Sequence, residues 1–310
     1  MRGFSKLQVC LIILLLLVPT AALCEVRVAN NLTSILKNES ASADRVELTG
    51  LKGWDYLANK LVDDGLSPTV VSKVYSDPRM PPFDVVYFSL APKESYGMYK
   101  DFNSKSQLQL ARQFLINNKR LLDEAEKKYK VNRYVIASIL LIETRYGKNT
   151  GKEMVLNRLS RVGSIAKPEN ILANYRKLSG EDPKVTFESV KARAEYLEDK
   201  FYPEIISLFE LAKRNKLHPL SIRGSIAGAF GIPQFLPSSY LRFGVDGNRD
   251  GRVSLFTLHD AILSTANFLS SHGWSEKHDK ENKGSVIWNY NQSDAYVDTV
   301  LLLAEKLSSR

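Results

Sequence analysis

Residues 135–147 read VIASILLIETRYG: eight residues apolar except for Ser138, then one carboxylate, Glu143. On a 3.6-residue period Glu143 shares a helix face with Ile136, Ile139 and Leu140. The residues three and four positions away are Ile139, Leu140, Tyr146 and Gly147. None is a cation, so the helix itself supplies no ion partner. A carboxyl on such a face resists ionising, because removal from water disfavours the charged form. A general acid working near neutral pH needs that property. The same spacing also fits a glutamate at a helix end whose head reaches water. Local pattern does not separate the two.

Residues 224–240, GSIAGAFGIPQFLPSSY, form a second group. Gly224, Gly228 and Gly231 are costly inside regular structure. They suit backbone that passes close to something else, either a ligand or a packed neighbour. The small residues leave Ser225 and Gln234, both neutral hydrogen-bonders, uncrowded. A third group begins at Asp246 and reads DGNRDGRVS. It matches positions 1, 3, 5 and 6 of an EF-hand calcium loop. Position 12 is Thr257 rather than the bidentate glutamate, which weakens a metal site or removes it. An Asp/Asn/Gly turn without metal explains the loop equally well. The histidines at 218, 259, 272 and 278 have no ligand-like spacing.

Taken together, the blocks resemble the membrane-bound lytic transglycosylase B family, bacterial cell-wall enzymes of glycoside hydrolase family 103 with a lysozyme-like core. The resemblance rests on Glu143-Thr144-Arg145-Tyr146-Gly147, on Gly228-Ala229-Phe230-Gly231 with Gln234-Phe235, and on Pro237-Ser238-Ser239-Tyr240. Asn289-Tyr290-Asn291 followed by Tyr296 resembles that family's substrate-contacting segment. The likeness spans about residues 50–305. It departs at Ile232-Pro233, where members commonly have Tyr-Gly, and so touches the shape of one sugar subsite.

The resemblance implies a mostly α fold, with a lysozyme-like transglycosylase core and an additional N-terminal helical region. It implies cleavage of the β-1,4 bond between N-acetylmuramic acid and N-acetylglucosamine by one carboxyl. Glu143 would protonate the glycosidic oxygen and then take the proton from the muramyl C6 hydroxyl. That hydroxyl attacks C1 of the same sugar and leaves a 1,6-anhydro end. An ordinary glycosidase needs a second carboxylate across the bond, and none is obvious near Glu143 or in the Gly-rich block. Ser225 and Gln234 would bind near Glu143, and Tyr290, Asn291 and Tyr296 would hold sugar rings and N-acetyl groups. Arg193 would meet a peptide or lactyl carboxylate, although an exposed surface arginine is the plainer reading. The family's variant calcium loop places its last acidic ligand later, where Asp260 stands. Asp246, Asn248, Asp250, the Arg252 carbonyl and Asp260 would then hold a structural Ca²⁺, with no cofactor required for the chemistry. A hydrolytic muramidase and a non-catalytic peptidoglycan-binding protein are the competing readings.

The totals fit this picture. Of 310 residues, 44% are hydrophobic and 25% charged, which excludes a wholly disordered chain. The formal charge of +9 favours an anionic partner. No dense Lys/Arg run with interleaved aromatics points to nucleic acid; peptidoglycan strands are the expected partner and a monomer the expected state. Arg2 and Lys6 precede an apolar run over residues 9–18, and Ala22-Leu23-Cys24 offers a cleavage site. Residues 1–24 are therefore expected to be a signal peptide, with export to the periplasm of a Gram-negative bacterium. Lipidation of Cys24 is disfavoured by the bulky Leu23 and stays open. Cleavage removes Arg2 and Lys6, lowering the charge to +7, and removes both cysteines, Cys10 and Cys24. No membrane span or disulfide is then expected.

The elements that must position these groups follow from periodicity. Residues 25–48 read as a flexible lead-in, and 49–308 as the catalytic region. Within it, a helical part runs to about 130 and the lysozyme-like core covers about 131–308, including an EF-hand-like loop at 246–260. Helices are expected over 54–75, broken at Gly65, and over 108–129 as one strong amphipathic helix. Asn132 is placed to cap the helix carrying Glu143, and Gly147 to end it. Residues 78–92 are Pro-rich and read as an extended segment or loop, and 161–171 as short helical turns and loops. Residues 187–212 read as one or two helices interrupted near Pro203, with further helices over 259–271 and 294–307.

Overall fold

The structure, a computed structural model, describes residues 47–92 and 95–309. The expected signal peptide, most of the lead-in and both cysteines lie outside the described residues.

The described chain is mostly helical. α1 (Asp55–Asp63) and α2 (Pro68–Ser76) open it, followed after an irregular stretch by α3 (Lys105–Asn117) and α4 (Lys119–Tyr129). α5 (Arg133–Thr144) carries Glu143. β1 (Glu153–Met154), α6 (Val155–Val162), α7 (Pro168–Glu181) and α8 (Phe187–Arg214) come next. β2 (Arg223–Gly224) pairs antiparallel with β1, placing Glu153 opposite Gly224. α9 (Pro237–Phe243), α10 (Leu258–Ser271), α11 (Lys280–Tyr290) and α12 (Asp294–Ser308) complete the order.

Three expectations are modified. The amphipathic stretch 108–129 is two helices, because Asn118 leaves helical geometry and its side chain donates to the Phe114 carbonyl at 2.9 Å. An asparagine side chain that competes for backbone partners is well suited to ending a helix. Pro203 does not divide α8, which runs through it for 28 residues. Flanking packing holds it: Phe201, Tyr202 and Ile205 are all buried. Residues 168–181, partly read as short turns, form a full helix with Pro168 at its first position, where the missing N–H costs nothing.

α5 is the axis of the core. Every residue from Val135 to Thr144 is buried, and a helix apolar on all sides must be covered on all sides. α12 covers most of it, with α3, α4 and α10 contributing. One apolar cluster runs from Leu51 to Leu307, so α1 and α2 share the same core. They are tied to it by polar contacts too: Tyr75 pairs with Ser160 at 2.8 Å, and Tyr202 donates to Asp64 at 2.6 Å.

Candidate active site

Both ends of α5 are defined by side chains in its sequence. Asn132 accepts from the Tyr134 N–H at 2.8 Å, satisfying one of the open donors at the helix start. At the other end Arg145, Tyr146 and Gly147 take φ of 50°, 61° and 90° in succession. Left-handed geometry is expensive for the two non-glycine residues and turns the chain away just beyond Glu143. The turn is pinned from outside. Thr144 Oγ1 donates to the Ile232 carbonyl at 2.8 Å and accepts from Gly147 N–H at 2.9 Å. Tyr146 stacks on Phe114 with centroids 3.7 Å apart.

Glu143 is 7% exposed. Tyr296 of α12, expected to hold a sugar, is instead 1% exposed and not among the pocket-lining residues; its hydroxyl donates to Glu143 Oε1 at 2.6 Å. Burial, with the Glu143 carboxylate nearby, holds the Tyr296 phenol well above its usual range, so it stays a donor. Tyr290 lies parallel to Tyr296 at 6.4 Å and is likewise held far above its usual range by burial. Its hydroxyl donates to the Pro233 carbonyl at 2.6 Å. Glu143, Gln234, Tyr290 and Asn291 line one pocket of about 200 Å³, together with Lys200, Phe235, Ser239 and Gln292. Glu143 is the one acidic side chain among these lining residues.

The Gly-rich block is a tight connection rather than a helix. A Cβ on Gly228 would come within 2.4 Å of the Leu159 side chain, and one on Gly231 within 2.4 Å of Leu255 Cβ. Both glycines have positive φ. Of the two explanations for glycines here, close packing against protein accounts for these two. Gln234 takes φ 52° and donates to the Gly231 carbonyl at 2.8 Å and to that of Thr150 at 3.2 Å. At the departure from the family pattern, the backbone does the bonding. Ile232 O accepts from Thr144 and Pro233 O from Tyr290, which any residue pair could offer.

Ser225 and Asn291 are buried at 7% and 4% exposure. Ser225 Oγ and Asn291 Oδ1 find no hydrogen-bond partner among the described residues. Buried polar atoms are nearly always paired, so such orphans next to a pocket suit a ligand. Asn291 lines the pocket; Ser225 does not, although its N–H donates at 2.7 Å to the carbonyl of Ala229, which does. Arg193 is half-buried on α8 with its guanidinium over the Tyr196 ring at 5.3 Å, and it is not among the pocket-lining residues. Sequence reasoning passed over Lys200 and Gln292 and gave Ser239 no role beyond its place in the family block; a lysine on an amphipathic helix carries no signal of its own.

The EF-hand-like loop is built by its own backbone. Asp246 accepts from the N–H of Asp250 at 3.1 Å and of Gly251 at 2.8 Å, and Asp250 Oδ1 accepts from Arg252 N–H at 2.9 Å. Asp260, fully buried in the first turn of α10, accepts from Gly247 at 2.9 Å, Asn248 at 3.4 Å and Ser254 at 2.6 Å. No group of three acidic, histidine or cysteine side chains converges as a metal site among the described residues. Nor is any described helix long and apolar enough to cross a membrane.

Comparison with known proteins bears on the family and the fold. Residues 52–283 match the Transglycosylase SLT domain. The chain belongs to the SLT-domain transglycosylase family. A stretch of 153 residues is 33% identical to membrane-bound lytic murein transglycosylase B of Escherichia coli, covering 49% of this chain and 35% of that protein. The chain thus matches about a third of that relative's length. The E. coli lytic transglycosylase Slt35 in complex with calcium superposes with a TM-score of 0.61 at 21% identity, over 83% of this chain and 92% of that one. SltB3 of Pseudomonas aeruginosa in complex with NAG-anhNAM-pentapeptide gives 0.60 at 16% identity, over 84% and 80%. These likenesses establish the lysozyme-like transglycosylase fold.

Proposed function

We propose that this SLT-family chain is an exported peptidoglycan lytic transglycosylase. It would act as a monomer on glycan strands in the periplasm and form 1,6-anhydro-N-acetylmuramic acid ends. The observation that carries this reading is the pocket itself, with Glu143 as its one acidic side chain beside Gln234, Tyr290 and Asn291.

In the first half-reaction the Glu143 carboxyl gives its proton to the glycosidic oxygen, and the bond from that oxygen to muramyl C1 breaks. The positive charge growing at C1 faces the carboxylate left behind. In the second, that carboxylate takes the C6 hydroxyl proton while O6 bonds to C1, which restores the carboxyl. Tyr296, donating to Oε1, fixes the orientation of the carboxyl through both steps. Ser225 Oγ and Asn291 Oδ1 are available to an N-acetyl or hydroxyl group, since neither has a partner among the described residues. Gln234 holds the groove wall, and the Tyr290 ring packs against a sugar face. Arg193, off the pocket, meets a carboxylate on the peptide stem. The NAG-anhNAM-pentapeptide in the SltB3 complex, which contains an anhydro-muramyl sugar, supports the product assigned here.

From the sequence pattern we also propose a weak structural calcium site in the loop from Asp246 to Asp260; Asp246, Asn248, Asp250, the Arg252 carbonyl and Asp260 would be its oxygen donors, and since these acids do not converge among the described residues, the ion itself would have to draw them together. Calcium in the Slt35 complex supports it. The ion would brace the loop against α10 and take no part in catalysis.

Digestion of purified peptidoglycan followed by mass spectrometry tests the assignment. Anhydro-muramyl products are expected. Products heavier by one water would make the chain a hydrolytic muramidase, and binding to sacculi without released fragments would make it a binding protein.

A further inference from the structure

We propose that Lys200 is a specificity-determining residue that binds a carboxylate carried by the muramyl substituent of the strand, a proposal resting on the glycan-cleaving reading above. Lys200 stands on α8 and lines the same pocket as Glu143. Its ammonium donates to Gln292 Oε1 at 3.3 Å, the hydrogen bond it makes among the described residues. Gln292 directly follows Asn291, so this contact ties the charge to the wall that would grip the sugar. An ammonium has three donors, and two remain for a ligand.

Of the charges acting on Lys200, the Arg193 cation, which favours an anion there, outweighs the Glu204 carboxylate, which opposes one. Arg193, two turns earlier on the same helix, repels it, and Glu204, one turn later, attracts it. Glu204 does not pair with it, because both of its oxygens cap α9, one accepting from Ser238 N–H at 2.9 Å and the other from Ser238 Oγ at 2.5 Å. Glu143 of α5 lies in the same pocket, and Arg242 of α9 acts on Glu204. Partial burial, then the Arg193 charge, push the Lys200 ammonium down to about 8. An incoming carboxylate would relieve both the desolvation and the repulsion.

Two carboxylates meet this description: the lactyl carboxylate of a stem-free muramyl residue and a free carboxylate of the peptide stem. The test compares kcat/KM on stem-free and on stem-bearing strands, each with its carboxylates free or amidated. Near neutral pH the wild type should favour the free-carboxylate form by about tenfold. Since the free ammonium loses its proton near 8, the preference should fall as pH rises through that value. Lys200→Met should bring the ratio to about one. Lys200→Arg should keep it at higher pH, because a guanidinium stays charged there. A preference confined to stem-free strands assigns the lactyl group, and one confined to stem-bearing strands the peptide. Equal ratios in wild type and a folded Lys200→Met overturn the proposal. Calorimetry with the same free and amidated strands on Glu143→Gln separates the two readings. Lys200-dependent carboxylate selectivity without cleavage by the wild type would leave this proposal standing and reject the transglycosylase, while cleavage without such selectivity would do the reverse.

Discussion

Glu143 and Asp260 are both buried carboxylates near a helix end, at the last turn of α5 and the first turn of α10. Asp260 sits where the helix dipole favours negative charge, and Glu143 where it opposes it. Asp260 receives three backbone amides from the loop it anchors. Glu143 receives a phenol from α12 and lies against a pocket. A third carboxylate, Glu204, is also tied down, one oxygen accepting from the Ser238 N–H and the other from its hydroxyl. A carboxylate satisfied by backbone donors is locked into architecture. One held by a distant side chain beside a cavity can exchange protons with a ligand. Neighbouring sequence does not show this difference, since all three are single acids among apolar residues.

Four substitutions or titrations put pressure on that contrast. Glu143→Gln should fold normally and lose about a thousandfold in peptidoglycan cleavage, within the range a positioned acid supplies; full activity would place Glu143 with the architectural carboxylates. Asp260→Ala should leave three amides of the loop unsatisfied and cost about 3 kcal/mol in denaturant unfolding. A loss under half a kcal/mol would show that the loop does not depend on it. Tyr296→Phe removes the donor to Glu143 and should lower kcat about tenfold with KM little changed. An unchanged kcat would mean that the phenol serves packing alone. Calcium has the smallest expected effect. At an ion concentration about tenfold above a millimolar-range Kd, stability should rise by about 1.4 kcal/mol, and Asp250→Ala should abolish the rise. No shift in melting temperature would remove the calcium assignment.

Much of this was legible before any coordinates. Asn132 marks the start of α5, Gly147 its exit, and the run of apolar residues from Val135 announces its burial. The helix at 294–308 follows from periodicity, because its buried face repeats every three to four residues, whereas 260–266 of α10 are buried without a break, so its apolar run rather than an amphipathic stripe marks it. The break at Asn118 was not legible, since the apolar stripe continues on both sides of it. The continuity of α8 through Pro203 was also hidden, because a proline's local cost is outweighed only by contacts from elsewhere in the fold.

The chain by itself specified a buried helix ending in a lone acid, because burial follows composition and helical phase follows spacing. What it left undecided was who faces whom. The bond from Tyr296 to Glu143 spans 153 positions, and Lys200 reaches the pocket from a helix with no chemical signature. Such meetings depend on how α5, α8 and α12 pack. That packing is set by the summed fit of the whole core, which no local window contains.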